Sequence, residues 1–492
     1  MDRLAFEHHL TSPQGEGHIP GDAFTVTFGG GECCDEVTFS LQTDGMHVTD
    51  AGFSANGCGA SHAAASAAVT LVRGATLLDA ARVGADAIAS ELGGLSPAKR
   101  HAADVASDAL ARALGAAVRA RGSVPGPADS SHPPTPSRPT RTLVAMSGGV
   151  DSSVAALLCA QHGETVAVTL ELWADSENDA EKSCCSSSAV SQARALAHSL
   201  GLPHFTLDLR DEFRHGVVEP FIAAYAAGDT PNPCFGCNGH VRLDAMLEFA
   251  DRLGAATLAT GHYARVEARD DAAGPLLRQA ADPAKDQTYM LAALSPESLA
   301  RMRFPLGEYE KPQIRAIAAE AGLSVASKVD SQDLCFLAGT TRARFMERHA
   351  GLRPRRGEIV DLSGAVLGEH DGHELFTVGQ RRGVGLAAAE PLYVLAKEAD
   401  GNRVVVGPRE LLLTDRVHVR GARLHREGAR VDRVKLRYRS QPLAAHVCDP
   451  PAAGSHRELT LALDEPVAGA APGQLACLMD GDLIVGWGTI VR

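Results

Sequence analysis

A short segment near the middle of the chain has the residue types and spacing needed to hold phosphate groups. Ala145–Ser153, AMSGGVDSS, places two glycines and three serine hydroxyls between an apolar strand and a predicted helix. The glycines let the backbone turn sharply, and the helix amino terminus offers N–H groups and a positive dipole end to an anion. The carboxylate of Asp151 would repel phosphate, so its presence predicts a Mg²⁺ ion between the two. The G-K-[ST] ending of a Walker loop is missing, so that class is excluded.

Three cysteines farther along the chain have a pattern suited to sulfur transfer. Cys234 and Cys237 form a C-x-x-C in the proline-braced segment TPNPCFGCN, and Cys335 lies far downstream in DSQDLCF. Such a transfer uses one thiol to carry a persulfide and a second thiol to resolve it. An adenylated carbonyl carbon then receives the sulfur as AMP leaves. Taken alone, the C-x-x-C is also compatible with half of a zinc site, and Cys335 with a buried core cysteine.

Seven motifs follow one another in a specific order: SGGVDSS, TPNPCFGCN, ATGHY, KDQTY, LCF, FTVGQRRG and PGQ. Together they resemble the bacterial tRNA-specific 2-thiouridylases, the MnmA family, from about Arg141 to Arg492. The first motif resembles the PP-loop of the ATP pyrophosphatases, which cleave ATP between the α- and β-phosphates and adenylate their substrates. The resemblance implies ATP-dependent 2-thiolation of the wobble uridine of tRNA. The expected steps are adenylation of the uracil O2 and sulfur transfer from a protein cysteine persulfide.

The resemblance also implies roles for individual residues. Cys237 is the expected nucleophile and Cys335 the persulfide carrier, joined transiently by a disulfide, while Asp151 is expected to be catalytic where metal and pyrophosphate meet. The expected ATP contacts are Ala145, Met146, Ser147, Gly148, Gly149, Val150, Asp151, Ser152, Leu170 and Gly261. The expected tRNA contacts are Asn232, Pro233, Cys234, His262, Lys285, Asp286, Gln287, Arg437, Tyr438 and Gln474. We expect ATP and Mg²⁺ as cofactors, and tRNA and a cysteine desulfurase or sulfur-relay protein as partners.

One position in the cysteine loop departs from the family pattern, because many members carry Asp where this chain has Cys234. Cys234, Cys237 and Cys335 could therefore ligate an iron–sulfur cluster with one iron left open for an extra sulfide. A persulfide route and a cluster-dependent route both stay open. The pair Cys184–Cys185 is compatible with sulfur relay, with metal binding or with a thiol-rich loop beside the ATP site. The remaining cysteines in apolar surroundings are expected to be inert core residues: Cys159, Cys448 and Cys477.

A second group of potential ligands lies near the amino terminus. The segments GECCD, NGCGAS and LSPAKRH resemble the NifU/IscU-type iron–sulfur assembly scaffold over about Phe6–Ala120. That resemblance implies a metal site, although Ala102 occupies the position of the third scaffold cysteine and Cys34 is an extra thiol nearby. The module could bind a cluster through His101 or Cys34, hold a labile metal, accept sulfur from a desulfurase, or be inert. The expected ligands are Cys33, Asp35, Cys58 and His101.

Hydrophobic patterning predicts the elements that position these residues. Residues 1–120 read as a small α+β module with a strand over Phe24–Leu41 and a helix over Thr76–Leu92. The Pro- and Ser-rich segment 121–140 reads as a poorly ordered tether. Alternating strands and helices over 141–345 predict a PP-loop domain of α/β class with a doubly wound parallel sheet, including a helix over Phe213–Ala227. Short β segments follow, which the resemblance divides into a small central β-rich domain over 346–408 and a C-terminal β-barrel over 409–492.

Composition limits the compartment and the partners. The 11 cysteines are clustered in a long chain, which favours metal or redox chemistry over structural disulfides. No apolar run reaches the roughly 18 residues needed to cross a bilayer and no signal peptide is evident, so we expect a cytoplasmic protein without membrane contact. A net charge of −13 argues against indiscriminate nucleic-acid binding. From Thr341 onward, however, 22 Lys and Arg face 19 Asp and Glu, so a specific RNA partner is compatible with that half.

Two other functions compete with tRNA thiolation. Another PP-loop enzyme that forms amide or C–N bonds would need neither the paired cysteines nor the TPNP loop. A protein that is chiefly an iron–sulfur scaffold would leave the intact PP-loop without a purpose. Both alternatives therefore account for fewer of the motifs.

Overall fold

The computed structural model describes residues 3–30, 34–120, 141–175, 187–268, 273–330, 334–351, 355–468 and 470–491, apart from the side chains of Ser187 and His240. The expected ligand Cys33, the pair Cys184–Cys185 and the predicted tether over 121–140 lie outside the described residues. Within the described part of the chain, no helix is both long enough and apolar enough to cross a membrane.

The amino-terminal module is a three-stranded antiparallel sheet covered by alanine-rich helices, as predicted for an α+β module. Its strands, in spatial order, are β1 (Phe24–Gly29), β2 (Glu36–Thr43) and β3 (Val48–Asn56). The helices are α1 (Arg3–Thr11), α2 (Gly59–Val72), α3 (Leu77–Ala80), α4 (Ala85–Glu91) and α5 (Arg100–Ala120), with a 3-10 turn at Pro97–Lys99. The single strand predicted over Phe24–Leu41 is wrong, because Gly29 and Gly30 adopt positive φ between β1 and β2. The helix predicted over Thr76–Leu92 is likewise divided, since Gly84 has an extended backbone and caps α4.

The PP-loop domain is built on a five-stranded parallel sheet, which confirms the predicted α/β class. The strand order is β10 (Met302–Arg303), β7 (Thr257–Thr260), β4 (Thr142–Ala145), β5 (Thr165–Glu171) and β6 (His204–Asp208). The interior strands are nearly continuous apolar runs because helices cover both faces of the sheet. The chain continues from β4 to β5 on one side and later returns to pair β7 on the other. The order therefore reverses at β4, and ligands bind at the carboxyl ends of strands at such a switch point.

Helices of unequal length surround this sheet. They are α6 (Val150–His162), α7 (Ser187–Ser199), α8 (Arg210–Phe213), α9 (Glu219–Ala226), α10 (Pro233–Gly236), α11 (Leu243–Arg252), α12 (Thr288–Leu291), α13 (Pro296–Arg301), α14 (Lys311–Glu320) and α15 (Arg342–Ala350). A π-helical turn, Arg214–Val218, interrupts the helix predicted over Phe213–Ala227. Pro220 in the first turn of α9 has no N–H to continue an α-helical ladder, which explains the interruption. A second π-helical turn, Cys237–Arg242, joins α10 to α11.

Two β-domains complete the chain, in agreement with the predicted fold class. The central sheet has the order β12 (Val366–His370), β11 (Gly357–Val360), β14 (Arg403–Gly407) and β13 (Tyr393–Glu398). The last sheet closes into a barrel because its first strand pairs with both the fourth and the last. Its strands are β15 (Leu413–Leu424), β16 (Arg433–Lys435), β17 (Leu443–Val447), β18 (Gly454–Ala468), β19 (Leu475–Asp480) and β20 (Leu483–Val491). A hairpin of the PP-loop domain, β8 (Arg265–Glu267) and β9 (Leu276–Arg278), extends this sheet through β20. Short 3-10 turns lie at Cys335–Leu337, His373–Leu375, Arg409–Leu412 and Gly428–Arg430.

The amino-terminal module packs directly on the edge of the parallel sheet. Helix α5 lies against β6 so closely that a Cβ atom on Gly115 would be 1.9 Å from the Thr206 carbonyl oxygen. Buried Arg112 bonds to Asp108 at 3.2 Å and to Glu171 of β5 at 2.5 Å. Removing one partner from a buried pair of this kind costs about 3–5 kcal/mol. The module is therefore fixed to the PP-loop domain.

Candidate active site

The segment between β4 and α6 forms the cradle that its sequence predicts. Gly148 has φ +68°, and a Cβ atom there would be 2.9 Å from the Ala189 carbonyl oxygen, so glycine is required. Gly149 caps α6 with an extended backbone. The Ser152 hydroxyl accepts from the Ser147 backbone N–H at 3.1 Å and donates to the Gly149 carbonyl at 3.2 Å. These contacts hold the loop with the amino terminus of α6 facing the cavity beside it.

A cavity of 380 Å³ opens at this loop, at the carboxyl end of β4. Nine of the ten expected ATP contacts line it: Ala145, Met146, Ser147, Gly149, Val150, Asp151, Ser152, Leu170 and Gly261. Four residues expected to contact tRNA line the same cavity: His262, Lys285, Gln287 and Tyr438. Gly261 must be glycine, because a Cβ atom would be 2.7 Å from the Ser152 backbone nitrogen. The structure thus brings two separately predicted residue sets to one place.

A network of charges that the sequence did not reveal lies in this cavity. Both carboxylate oxygens of Asp151 accept from the Lys311 Nζ at 2.8 Å, and one also accepts from the Tyr263 hydroxyl at 2.9 Å. The Lys311 Nζ lies 2.8 Å from Asp330, whose other oxygen accepts from Lys285 at 2.8 Å. Burial opposes ionisation of Asp330, but hydrogen bonds from the two lysines outweigh it and lower the carboxyl pKa. Burial and then the Asp151 charge raise the pKa of Tyr263, which keeps its hydroxyl protonated.

The cysteine loop is rigid and is braced by the barrel. Cys234 lies half-buried on α10, and Cys237 is 6 % exposed at the start of the second π-helical turn. The ring of Phe235, between them, lies 4.8 Å from the ring of Trp487 on β20. π-helical turns occur frequently at functional sites. Arg242, the last residue of this turn, lines the cavity beside the PP-loop, so the turn connects Cys237 to the cavity wall.

Barrel residues also hold the start of this loop. The Gln474 side chain donates to the Thr230 carbonyl at 2.6 Å, and the Thr230 N–H donates to the Pro472 carbonyl at 3.0 Å. A Cβ atom on Gly473 would be 2.9 Å from the Thr230 nitrogen, so the PGQ motif fits tightly against the loop. Gln474, an expected tRNA contact, therefore has a position-holding contact within the protein.

Cys335 lies half-buried on the 3-10 turn that begins there. The next residue, Phe336, is buried among aromatic rings, 5.0 Å from that of Phe221 and 5.3 Å from that of Phe345. No disulfide bond joins Cys237 to Cys335 in the described structure. Burial raises the pKa of Cys159 to about 11 and that of Cys477 to about 12, which fits inert thiols.

The other expected tRNA contacts differ in how far their side chains are buried. Asp286 is buried, accepts from Lys435 at 3.1 Å and from Thr288 at 2.8 Å, and so joins the catalytic domain to the barrel. Burial and then the Arg242 charge lower the pKa of His262 to about 3, and its Nδ1 lies 2.7 Å from the Thr260 hydroxyl. The Gln287 side chain accepts from the Tyr263 N–H at 2.9 Å. Arg437 is exposed, and the remaining members are half-buried: Asn232, Pro233, Cys234, His262, Lys285, Gln287 and Tyr438.

The amino-terminal module contains a separate group of potential metal ligands. Among the described residues, Asp35, Cys58 and His101 form the one group of three whose ligand atoms all lie within 4.8 Å of one another. Asp35 Oδ2 lies 3.4 Å from the Cys58 Sγ and 3.1 Å from the His101 Nε2. Hydrogen bonds from Ser61 and the Cys58 backbone outweigh the effect of burial and lower the Asp35 carboxyl pKa. A charged carboxylate, a thiol and an imidazole therefore converge here.

Two neighbouring residues, Ala102 and Cys34, bear on which metal ion or cluster this ligand group can hold. Ala102, at the position of the third scaffold cysteine, is completely buried and offers no ligand atom. Cys34 is exposed and has φ +54°, in the left-handed region that non-glycine residues rarely adopt. The sulfur, nitrogen and oxygen donors suit a single borderline metal ion such as Zn²⁺. Cys234, Cys237 and Cys335, all described, do not lie close enough together to hold a single metal ion.

Comparison with known families assigns four consecutive parts of the chain. The family described as "NifU-like N terminal domain" matches residues 5–121, and "tRNA methyl transferase HUP domain" matches 140–339. The descriptions "tRNA methyl transferase PRC-barrel domain" and "Aminomethyltransferase beta-barrel domain" match 343–408 and 410–490. A protein of Rubrobacter xylanophilus named "Bifunctional protein NifU/MnmA" is 42% identical over 98% of this chain and 97% of its own length. The chain belongs to the NifU/MnmA family.

Members of the wider MnmA family match the catalytic part of this NifU/MnmA chain. A "tRNA-specific 2-thiouridylase MnmA" of Methylorubrum extorquens is 44% identical over 73% of the chain and 95% of its own length. Its namesake from Heliobacterium modesticaldum is 43% identical over 71% of the chain and 92% of its own length. A solved U34-tRNA thiolase of Methanococcus maripaludis matches 44% of the chain with 17% identity and a TM-score of 0.27, too low to support an argument.

Proposed function

We propose that this NifU/MnmA protein is an ATP-dependent tRNA-uridine 2-sulfurtransferase whose active site is the cavity at the carboxyl end of β4. The observation that carries the proposal is the meeting of the PP-loop and residues of the tRNA-contact set at one cavity. Arg242 ends the π-helical turn that begins at Cys237, and it lines that cavity. The tRNA substrate follows from membership of the MnmA family, and a cytoplasmic location goes with that substrate.

The first half-reaction activates the uridine. The uracil O2 attacks the α-phosphorus of ATP, an O–P bond forms, and the bond to the bridging oxygen breaks with its electron pair leaving on pyrophosphate. The N3 proton is released as the adenylated uracil forms. The N–H groups and hydroxyls of Ser147–Ser152 hold the phosphates, and the α6 dipole stabilises their charge. Asp151 would hold the Mg²⁺ ion, which supplies charge neutralisation at the phosphates.

The second half-reaction transfers the sulfur. The terminal sulfur of a Cys335 persulfide attacks C2 of the adenylated uracil, and AMP leaves with the electrons of the C–O bond. The Cys237 thiolate then attacks the Cys335 sulfur, which releases the uracil sulfur and forms a Cys237–Cys335 disulfide. N3 takes up a proton, and a dithiol reductant resets the two cysteines. We propose a cysteine desulfurase or sulfur-relay protein as the source of the persulfide.

We propose this persulfide route rather than a cluster held by Cys234, Cys237 and Cys335. The persulfide route requires only two thiols on rigid elements, and the aromatic packing of Phe336 and Phe235 supplies that rigidity. Cys234 would then position the uridine, as Asn232 and Pro233 beside it would.

The amino-terminal module is proposed to hold a metal ion through Asp35, Cys58 and His101. Its three different donor atoms fit one ion, and the buried Ala102 removes the thiol that a scaffold-type cluster would need. When bound, the ion would fix the exposed thiol of Cys58 as a ligand, close to the module surface where a sulfur donor can approach.

Analysis of tRNA nucleosides tests the proposed function most simply. Cells that lack the protein are expected to lose 2-thiouridine at the wobble position, and the wild-type gene is expected to restore it. A gene carrying Cys237→Ser should fail to restore it, whereas Cys448→Ser, a change on the barrel, should succeed. Unchanged 2-thiouridine in the deletion strain would contradict the proposal.

A further inference from the structure

Lys311 lies at the amino terminus of a helix, a position that disfavours a cation. It is the first residue of α14, a helix stabilised by a capping box between Glu310 and Gln313 and by Pro312. The amino terminus of a helix carries partial positive charge, so a lysine there is opposed by the dipole. The side chain is nevertheless 10 % exposed, although lysines are almost never buried without a partner. Some other interaction must therefore keep it in place.

That interaction is with the PP-loop. The Lys311 Nζ lies 2.8 Å from both oxygens of Asp151, and 2.8 Å from Asp330. The backbone N–H of Lys311 donates to Asp282 at 3.1 Å, which fixes the helix start against the cavity wall. The ammonium consequently lies at the first turn of α6, beside the N–H groups and hydroxyls of the phosphate loop.

Cations exceed carboxylates around this point. Lys328 donates to the Gly148 carbonyl at 2.9 Å, and Lys285 pairs with Asp330. Arg242 and Arg439 also line the cavity. The cationic side chains are Lys285, Lys311, Lys328, Arg242 and Arg439, and the carboxylates are Asp151, Asp282 and Asp330. An excess of positive charge in a cavity with a phosphate loop matches a polyphosphate ligand.

We propose that Lys311 is a catalytic residue that binds the β- and γ-phosphates of ATP and stabilises the departing pyrophosphate. The inference rests on the proposed function of this cavity as the ATP site. As the bond between the α-phosphorus and the bridging oxygen breaks, its electron pair moves onto the β-phosphate oxygen. A fixed ammonium beside the PP-loop neutralises that charge as it forms. Asp151 and Asp330 hold the ammonium in position between turnovers, which explains a buried lysine at an unfavourable helix position.

Binding measurements on the full-length protein test the residue without tRNA. Calorimetric titrations with pyrophosphate and with AMP, both in the presence of Mg²⁺, compare wild type with Lys311→Met, Lys311→Arg and Arg315→Met. Arg315 is the matched control, since it pairs with Asp330 from the next turn of α14 at 2.9 Å, whereas the Lys311 Nζ also contacts Asp151 of the PP-loop at 2.8 Å. Lys311→Met should weaken pyrophosphate binding about tenfold or more and AMP binding by less than about twofold. Lys311→Arg should retain most of the affinity, and Arg315→Met should change pyrophosphate affinity by less than about threefold.

The rate of pyrophosphate release with tRNA present gives the second readout. Lys311→Met should slow it on the order of 100-fold, with unchanged tRNA binding. Equal pyrophosphate affinity in Lys311→Met and wild type would overturn the inference. A parallel loss of AMP and pyrophosphate binding with a lowered melting temperature would also overturn it, because the residue would then be structural. A wild type that binds pyrophosphate but never thiolates tRNA would contradict the proposed function instead, so the two failures are distinguishable.

Discussion

The cysteines with proposed chemical roles lie in two places, and the two places differ in burial and in their neighbouring groups. In the amino-terminal module, the exposed thiol of Cys58 lies beside a charged carboxylate and an imidazole, with all three ligand atoms within 4.8 Å. In the catalytic domain, Cys237 is buried, Cys335 is half-buried, and the carboxylates nearby are paired with lysines. Metal binding needs donor atoms that converge on one point. Sulfur transfer needs separate thiols on rigid elements beside an activated carbon.

The largest effect is expected from the catalytic thiols. Cys237→Ser and Cys335→Ser should each lower tRNA thiolation on the order of 100-fold or more, because we propose that the two act in successive steps of one transfer. Pyrophosphate release should continue in both variants, since adenylation precedes the sulfur step. Cys448→Ser, on the barrel, is the matched control and should retain wild-type turnover. Thiolation above a few per cent of wild type in either serine variant would contradict the proposed catalytic role of that cysteine.

A smaller, metal-specific effect is expected from the amino-terminal ligands. Cys58→Ala or His101→Ala should lower the affinity of the purified protein for Zn²⁺ by about 10–100-fold, because each removes one of three donors. Cys34→Ala is the control and should leave that affinity unchanged, since Cys34 is not among the converging atoms. Metal content by mass spectrometry and competition with a chelator provide the measurement. Equal Zn²⁺ affinity in Cys58→Ala and wild type would contradict the proposed metal site of this module.

Cys234 tests whether the two cysteine sites differ in chemistry. If Cys234 were a cluster ligand, both sites would bind metal. Under the persulfide route, Cys234→Asp should stay within about fivefold of wild-type thiolation in air with a desulfurase as donor, because the residue only positions the uridine. The control is Cys237→Asp, which should be inactive. An inactive Cys234→Asp that has also lost bound iron from an anaerobically purified protein would establish the cluster route.

The smallest effect concerns the interface that joins the two units. The His198 Nε2 donates to the Ala81 carbonyl at 3.0 Å, and burial lowers the pKa of His198 to about 4. The unfolded chain binds this proton near pH 6.5, so its stability contribution is complete above that pH and is lost as pH falls toward 4. The free energy of unfolding should fall by up to about 1.4 kcal/mol per pH unit from this one group.

Urea denaturation at pH 7 and pH 5 measures this dependence. His198→Gln, which can still donate to Ala81, should reduce the pH dependence. His446→Gln, an exposed change on the barrel, should leave it unaltered. If the free energy of unfolding depended on pH equally in His198→Gln and wild type, protonation of His198 would not couple the module to the catalytic domain.

Much of the molecule could be predicted from sequence because its signals are local. Alternating strands and helices predicted the parallel sheet, and glycines, serines and the C-x-x-C predicted the phosphate and cysteine loops. Breaks within elements were missed where the cause was one residue, such as Pro220 in α9. Lys311 was missed because its partners Asp151 and Asp330 are distant in the chain. The one sequence feature that could have pointed to Lys311 was a lysine at the start of a proline-containing helix. The contact of Gly115 with Thr206 has no local pattern, so the fixed position of the module could not be foreseen.

A single-turnover transfer of labelled sulfur tests the central claim most directly. The full-length protein is incubated with a desulfurase and ³⁴S-cysteine, freed of small molecules, and given tRNA with Mg²⁺ and ATP. Mass spectrometry of the nucleosides should then find ³⁴S in 2-thiouridine for wild type and for Cys58→Ala, and none for Cys335→Ser. Labelled 2-thiouridine from Cys335→Ser would contradict the account, because the sulfur would then have travelled by a path that does not include the catalytic persulfide.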